Sequence, residues 1–117
     1  MASKIIAVDF DGCLVVNAYP KVGEPIFKNI EKLKKEQDNG AKVILWTCRK
    51  GDLLADAVNF CSLIGIKLDA VNENLPEIIA AFNGDTRKLF ANEYWDDRAV
   101  HMAGKIVNGQ KVGPQYE

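Results

Sequence analysis

Acidic side chains stand at two points of this chain where an apolar run ends. Asp9 and Asp11 follow the first run, and Asp96 and Asp97 follow a later one. Carboxylates held a few ångströms apart repel one another unless a cation lies among them. Oxygen ligands of this kind suit Mg²⁺, which binds few carboxylates and often shares its shell with a substrate phosphate. The four acids therefore predict a site for a hard divalent cation such as Mg²⁺.

Two further polar residues occupy positions from which they could join such a site. Thr47 directly follows the apolar run Val43 to Trp46, and Lys88 lies eight residues before Asp96. Ligands of an open parallel sheet bind beyond the carboxyl ends of its strands. We therefore expect the Thr47 hydroxyl to meet the four acids at one sheet edge, and the Lys88 ammonium to reach a carboxylate or the phosphate.

The elements that would position these groups alternate between strand and helix. Continuous apolar runs with abrupt polar ends are typical of strands buried on both faces of a parallel sheet, and apolar residues at helical spacing separate them. The predicted strands cover 4–8, 42–46, 68–71 and 93–95, and the predicted helices cover 26–40, 52–64 and 76–82, with Asp52 as an N-cap. This alternation indicates a doubly wound, mostly parallel α/β sheet in three α/β/α layers. A hairpin over 105–112 follows, because its Asn-Gly pair favours a two-residue turn.

Composition limits the classes of protein to which the chain could belong. Its 117 residues suit one domain over 1–117, with no room for a large cap. The balance of 15 basic against 16 acidic side chains argues against nucleic acid as a partner. Because apolar runs such as Val43 to Trp46 are far shorter than the roughly 18 residues of a membrane span, we expect no membrane span, no signal peptide and a cytoplasmic location. One histidine and three cysteines argue against a zinc site and a disulfide framework.

In their order along the chain, these residues resemble the four motifs of the haloacid dehalogenase superfamily of phosphohydrolases. The first motif, an apolar strand followed by Asp-x-Asp-Gly, corresponds to 9–12, and the second, a strand-ending hydroxyl, to Thr47. The third motif, a lysine, corresponds to Lys88, and the fourth, an acidic pair, to Asp96-Asp97. The resemblance covers residues 4–98 and leaves only the tail unexplained.

A narrower resemblance is to small, capless bacterial and phage members of that superfamily. It is carried by the segments 45–49 and 72–76 and by the spacing from Lys88 to Asp96. Cap-bearing relatives cover the site with an inserted module, whereas here the segments after the first two motifs are used by a loop and by helices. The resemblance therefore implies an open site. Cys13 departs from the family, which often has Thr after the glycine, so a helper hydroxyl is not implied here.

The resemblance implies hydrolysis of a phosphate monoester in two steps. The Asp9 carboxylate would attack phosphorus to form an aspartyl-phosphate, which water then hydrolyses. Asp11 would protonate the leaving oxygen and later activate water, while Thr47 and Lys88 would hold the phosphoryl oxygens. The implied ligands of Mg²⁺ are Asp9, the main-chain carbonyl of Asp11 and Asp96, with Asp97 in support. Superfamily members that cleave carbon–halogen bonds lack the second acid, so Asp11 favours phosphate esters.

Three residues are candidates for binding the rest of the substrate. Arg49 is suited either to a bidentate grip on an anion or to a surface ion pair with a nearby acid. Asn72 follows the third strand, where an asparagine contacts substrate or makes a turn. The loop over 13–24 is longer than most connections and predicts a flap over the site. On this loop, Tyr19 offers a ring to an aromatic or sugar substrate, or packs onto the domain.

Two other functions stay open at this point. A phosphoryl-accepting receiver or switch module also combines acids, Thr, Lys and Mg²⁺, although receivers place the acidic pair first and this chain places it last. A non-catalytic interaction module on the same fold is the other alternative, and its hairpin over 107–112 could contact a second copy in a homo-oligomer. Intact Asp9 and Asp11 weigh against the non-catalytic module.

Overall fold

A four-stranded parallel sheet forms the centre of the protein. The computed structural model describes residues 3–102, 105–107 and 110–112. The strands are β1 (Ile5–Val8), β2 (Lys42–Leu45), β3 (Ala70–Val71) and β4 (Glu93–Trp95). Neighbouring strands run parallel in the spatial order β3-β2-β1-β4. Every residue of β1 is buried, as expected for a central strand that is covered on both faces.

Three helices cover the two faces of this sheet: α1 (Phe27–Asp38), α2 (Gly51–Leu63) and α3 (Pro76–Phe82). Helices α1 and α2 contribute buried side chains to the apolar cluster that contains Ile6 and Val8. Helix α3 packs through Ile78 against a separate cluster that contains Ile5 and Ile44. Because side chains alternate between the two faces of a strand, the clusters lie on opposite sides of the sheet. The protein therefore has three layers, and the predicted doubly wound α/β fold is confirmed.

Several predicted element boundaries are wrong. β1 begins at Ile5 rather than at residue 4, β3 begins at Ala70 rather than at residue 68, and α1 covers Phe27–Asp38 rather than 26–40. β2 ends at Leu45 rather than at Trp46. Asp52 does not cap α2, because the helix already begins at Gly51 after an extended Lys50, and this end has no side-chain cap hydrogen bond. Asp52 lies instead in the first turn of the helix, where its negative charge interacts favourably with the helix dipole.

The tail contains the two strands of the predicted hairpin. These strands are β5 (Lys105–Val107) and β6 (Gln110–Val112), and they pair antiparallel with Val107 opposite Gln110. The predicted turn at Asn108 and Gly109 lies outside the described residues.

The topology places one sheet edge where a ligand is expected. Helices α1 and α2 follow their strands on one face, whereas α3 leads to β4 on the other face, so the winding changes direction between the neighbours β1 and β4. In doubly wound sheets, ligands bind beyond the carboxyl ends of the strands at this switch point. The chain runs from β1 into Asp9 and from β4 into Asp96. No helix within the described ranges has the length and apolar character needed to cross a bilayer.

Candidate active site

Three carboxylates meet where β1 and β4 end. One oxygen from each of Asp9, Asp96 and Asp97 lies within 4.8 Å of the other two. Gly12, at a φ of +84°, permits this arrangement, since a Cβ at that position would collide with the Asp97 carboxylate. Among the described residues, no lysine or arginine forms an ion pair with these three acids. The structure thus brings together three of the four acids singled out in the sequence.

The charge of this cluster is unfavourable for Asp9, its half-buried member. Burial, reinforced by the neighbouring Asp96 and Asp97, raises the pKa of Asp9 from 3.8 to about 6. The backbone N–H of Phe10 donates to Asp9 Oδ1 at 2.8 Å and opposes this rise. A divalent cation would relieve the repulsion. The donor set fits Mg²⁺, because carboxylate oxygens on an open edge leave room for water and a phosphate in its shell.

Thr47 lines the same cleft, just beyond β2. Its backbone N–H donates to Asn72 Oδ1 at 2.8 Å, and its Oγ1 accepts from the backbone N–H of Arg49 at 3.1 Å. Because that lone pair is used, the hydroxyl proton points elsewhere and can be donated to a phosphoryl oxygen. Asn72, predicted to contact substrate or make a turn, adopts a left-handed conformation (φ 54°) and holds the backbone of Thr47.

The fourth acid, Asp11, is held by an arginine. Arg49 Nε donates to Asp11 Oδ2 at 2.8 Å, and Arg49 Nη2 donates to Asp11 Oδ1 at 2.7 Å. The side chains of the pair are 1% and 15% exposed, respectively. These hydrogen bonds raise the pKa of Arg49, so its guanidinium stays charged despite burial. Each Asp11 oxygen accepts one hydrogen bond from Arg49 and keeps a second lone pair.

Arg49 has no donor left for a substrate anion. Its Nη1 donates to the carbonyls of Pro20 at 3.2 Å and Leu53 at 3.3 Å, and its Nη2 also donates to the carbonyl of Lys21 at 2.8 Å. With the two bonds to Asp11, all five guanidinium N–H groups are used. Of the two roles expected from the sequence, the structure therefore shows the ion pair with a nearby acid, but in the interior rather than at the surface.

The loop after β1 belongs partly to the core. Leu14 and Val15 are fully buried, so the segment that can border the cleft is shorter than the predicted flap over 13–24 and is confined to 17–21. In this shorter segment, Tyr19 lines the cleft while 57% of its surface is exposed. The sequence allowed Tyr19 either to face a substrate or to pack onto the domain, and in the structure its ring lies against Arg49 of the domain and also borders the cleft.

Lys88 lies outside the cleft. The side chain is exposed, and its ammonium nitrogen is 6.0 Å from the centre of the Tyr94 ring. Tyr94 in turn contacts the ring of Trp46 at a centroid distance of 5.6 Å, and Trp46 borders a small pocket next to Asp9. Lys88 is therefore linked to the edge of this small pocket through Tyr94 and Trp46, but it is not among the residues that line the acidic cleft.

A buried asparagine fixes the segment that carries Lys88. Asn74 is 1% exposed, its Nδ2 donates to Asp85 Oδ1 at 2.8 Å, and its Oδ1 accepts from the backbone N–H of Phe90 at 2.8 Å. Sequence reasoning missed this anchoring role. The available signal was a polar residue after β3, which does not distinguish a turn at the surface from a buried anchor.

Comparison with known proteins identifies one similar solved structure. No protein-family model and no curated protein matches the chain. A conserved protein from Bacteroides thetaiotaomicron has 40% sequence identity with it and superimposes with a TM-score of 0.75. The match covers 85% of this chain and 79% of that one.

Proposed function

This chain belongs to the same family as the conserved Bacteroides thetaiotaomicron protein, and we propose from its own residues that it is a Mg²⁺-dependent phosphatase of the haloacid dehalogenase type. The observation that supports the proposal is the meeting of Asp9, Asp96 and Asp97 at the switch point of the sheet, in a cleft also lined by Thr47. The cleft encloses about 350 Å³, which is near the lower limit for small-molecule sites. The proposed substrate is accordingly a small phosphate monoester.

Asp9 is the proposed nucleophile. Its Oδ1 is held by the N–H of Phe10, which leaves Oδ2 to attack phosphorus. As the bond between Asp9 and phosphorus forms, the bond from phosphorus to the leaving oxygen breaks, and that oxygen keeps the electron pair and takes a proton from the Asp11 carboxyl group. Water then gives a proton to Asp11 and attacks phosphorus, Asp9 leaves as a carboxylate and inorganic phosphate is released. Two easier steps thereby replace one difficult displacement.

The other residues of the cleft would bind the phosphoryl group. Asp9, Asp96 and the main-chain carbonyl of Asp11 are the proposed ligands of Mg²⁺, with Asp97 in support, and the bound ion would neutralise the phosphoryl charge. Thr47 donates its hydroxyl proton to a phosphoryl oxygen, in an orientation fixed by the bonds to its Oγ1 and backbone N–H. Lys88 contributes only after its ammonium group has moved away from the Tyr94 ring.

Phosphate release from phenyl phosphate tests the proposal. We expect release that depends on Mg²⁺ and falls by at least about 10³-fold in Asp9→Asn, because an amide cannot replace the nucleophilic carboxylate. Asp38→Asn makes the same change at the exposed end of α1 and should retain activity. Undiminished release by Asp9→Asn would remove Asp9 as the nucleophile.

A phosphoryl-accepting switch is the second candidate, and the pairing of Asp11 with Arg49 favours it. If Asp11 stays on Arg49 and does not activate water, a phosphoryl group accepted by Asp9 would persist. Intact-protein mass spectrometry after incubation with acetyl phosphate and Mg²⁺ separates the two functions. A phosphatase releases phosphate and shows no lasting adduct, whereas a switch keeps the adduct on Asp9 and shows no turnover.

A further inference from the structure

The Arg49 guanidinium lies between two aromatic rings. Its central carbon is 5.1 Å from the centre of the Phe10 ring and 5.3 Å from the centre of the Tyr19 ring. Phe10 is fully buried, Arg49 is 2% exposed and Tyr19 is 57% exposed. The three groups therefore form a stack that begins in the core and ends in a ring at the cleft edge.

Several contacts hold Tyr19 in this position. The carbonyls of the next two residues, Pro20 and Lys21, accept hydrogen bonds from Arg49 at 3.2 and 2.8 Å. The backbone N–H of Tyr19 itself donates to Asn17 Oδ1 at 3.2 Å. A stacked cation attracts the face of an aromatic ring. Both the ring and its backbone are thus fixed by a buried side chain, although the loop lies at the surface.

The fixed ring borders the proposed reaction site. Tyr19 lines the same cleft of about 350 Å³ as Asp9, Asp96 and Asp97. The acids would hold a cation and the phosphoryl group, and they offer nothing that binds the rest of the substrate. Tyr19 is the aromatic side chain on this cleft wall, and more than half of its surface faces solvent. A planar group attached to the phosphate could stack on it.

We propose that Tyr19, positioned by Arg49, is the specificity-determining residue of the cleft and selects phosphate esters whose leaving group contains a planar aromatic ring. This inference rests on the proposed function. Aryl phosphates and nucleoside phosphates share the required chemistry, since both present a flat π-system. Stacking of a nucleic-acid base on an aromatic side chain increases affinity by a factor of about 5 to 150. A flexible alkyl group lacks this contact.

The Tyr19 ring is called the stacking platform below. Binding of phosphonates, which contain no P–O ester bond to hydrolyse, tests this platform separately from catalysis. Calorimetry with Mg²⁺ would compare phenylphosphonate with methylphosphonate on the full chain. We expect phenylphosphonate to bind more tightly, and Tyr19→Leu to reduce this preference about tenfold. Tyr19→Trp should keep the preference because it retains a flat ring. Phe82→Leu removes a ring of similar exposure from α3 and serves as the matched control that leaves both affinities unchanged.

Rates of hydrolysis then show whether the ring that stacks on Tyr19 belongs to an aryl phosphate or to a nucleotide. The ratio of kcat/KM for phenyl phosphate over glycerol 1-phosphate, and for adenosine 5′-monophosphate over ribose 5-phosphate, should each be measured in the wild type and in Tyr19→Leu. A ratio that falls in the first pair assigns the platform to aryl phosphates, and one that falls in the second assigns it to nucleotides.

Failure of this inference and failure of the proposed function give different results. Equal affinities for the two phosphonates, or an equal loss of both in Tyr19→Leu, would overturn the platform even if the protein hydrolyses phosphate esters. A phenylphosphonate preference that depends on the ring would support the platform, whereas absence of any Mg²⁺-dependent phosphate release would count against the phosphatase alone. Thermal unfolding of Tyr19→Leu shows whether the variant is folded, and Tyr19→Trp keeps the test decisive if it is not.

Discussion

The two ends of the parallel sheet hold their charged residues in opposite ways. Where the strands begin, Lys4 lies 3.2 Å from Glu36 and 2.8 Å from Glu93, and Lys42 lies 3.2 Å from Glu77. These pairs border a shallow cavity of about 820 Å³, larger than the acidic cleft. Each of these three acids therefore has a lysine partner, and the acids and lysines that line the larger cavity balance in charge.

Where the strands finish, three acids gather without such partners. Within the described part of the chain, no lysine or arginine pairs with Asp9, Asp96 or Asp97, and the nearby Arg49 is committed to Asp11. The chain has 15 basic and 16 acidic side chains, so this local excess does not reflect a general shortage of cations. The lack of lysine or arginine partners for these three acids is the difference between the ends on which the proposed cation site rests.

Replacement of Arg49 should change the stability of the protein more than any other substitution that tests this comparison. In Arg49→Met, the half-buried Asp11 and the carbonyls of Pro20 and Lys21 lose their donors. Removing one partner of a buried ion pair costs about 3–5 kcal/mol, because the other charge stays desolvated. We therefore expect the free energy of unfolding at pH 7 to fall by that amount, as measured by urea denaturation.

A double variant separates the loss of the pair from the loss of packing. In Arg49→Met combined with Asp11→Leu, no uncompensated charge is left, so part of the stability lost in Arg49→Met should return. If Arg49→Met cost less than about 1 kcal/mol, the pair would behave like an exposed one. The contrast between the buried pair and the lysine pairs at the opposite end would then fail.

The main elements of the fold were predictable because their signals are local. β1 is a short, fully apolar run, and α3 begins with Pro76 at a position that proline favours. The convergence of Asp9 and Asp96 then follows from topology, since both residues come directly after adjacent parallel strands. Two adjacent parallel strands that are each followed by an acidic residue are thus enough to place the two acids at one edge.

The environment of Arg49 could not be predicted in the same way. Its partners come from four places along the chain, namely Asp11, Pro20, Lys21 and Leu53, and no local pattern states that they surround one side chain. The sequence suggested an ion pair with a nearby acid, but burial depends on how the loop after β1 folds. The position of Lys88 is non-local for a similar reason.

Neutralising Asp9 should stabilise the protein while it removes activity. Because the folded state raises the pKa of Asp9 from 3.8 to about 6, this carboxyl group makes folding progressively less favourable as pH rises from about 4 to about 6. Discounted for its partial exposure, the cost at pH 7.5 is about 1–2 kcal/mol. Asp9→Asn, which retains an oxygen for the Phe10 N–H, should therefore unfold at higher urea concentration at pH 7.5.

The pH dependence provides the control for this effect. At pH 3.5 Asp9 is protonated in the folded protein, so the advantage of Asp9→Asn should shrink towards zero. Saturating Mg²⁺ should stabilise the wild type more than Asp9→Asn, because the variant lacks one proposed ligand. An advantage that is equal at both pH values would show that burial and the neighbouring acids do not raise the pKa of Asp9 in the folded protein.

The smallest effect is expected at the opposite end of the sheet. Lys4→Met removes a lysine whose side chain is 36% exposed and which contacts Glu36 and Glu93. Exposed ion pairs contribute at most about 1 kcal/mol, so the free energy of unfolding should fall by no more than that. About 1 M NaCl should abolish the difference from the wild type, since salt at this concentration screens exposed charges.

Leu63→Met, which changes an exposed apolar residue on α2, controls for the new side chain and should behave the same at both salt concentrations. If the free energy of unfolding fell as much in Lys4→Met as in Arg49→Met, both ends of the sheet would depend on their ion pairs for stability. The contrast between the ends would then no longer support the proposed cation site at the acidic end.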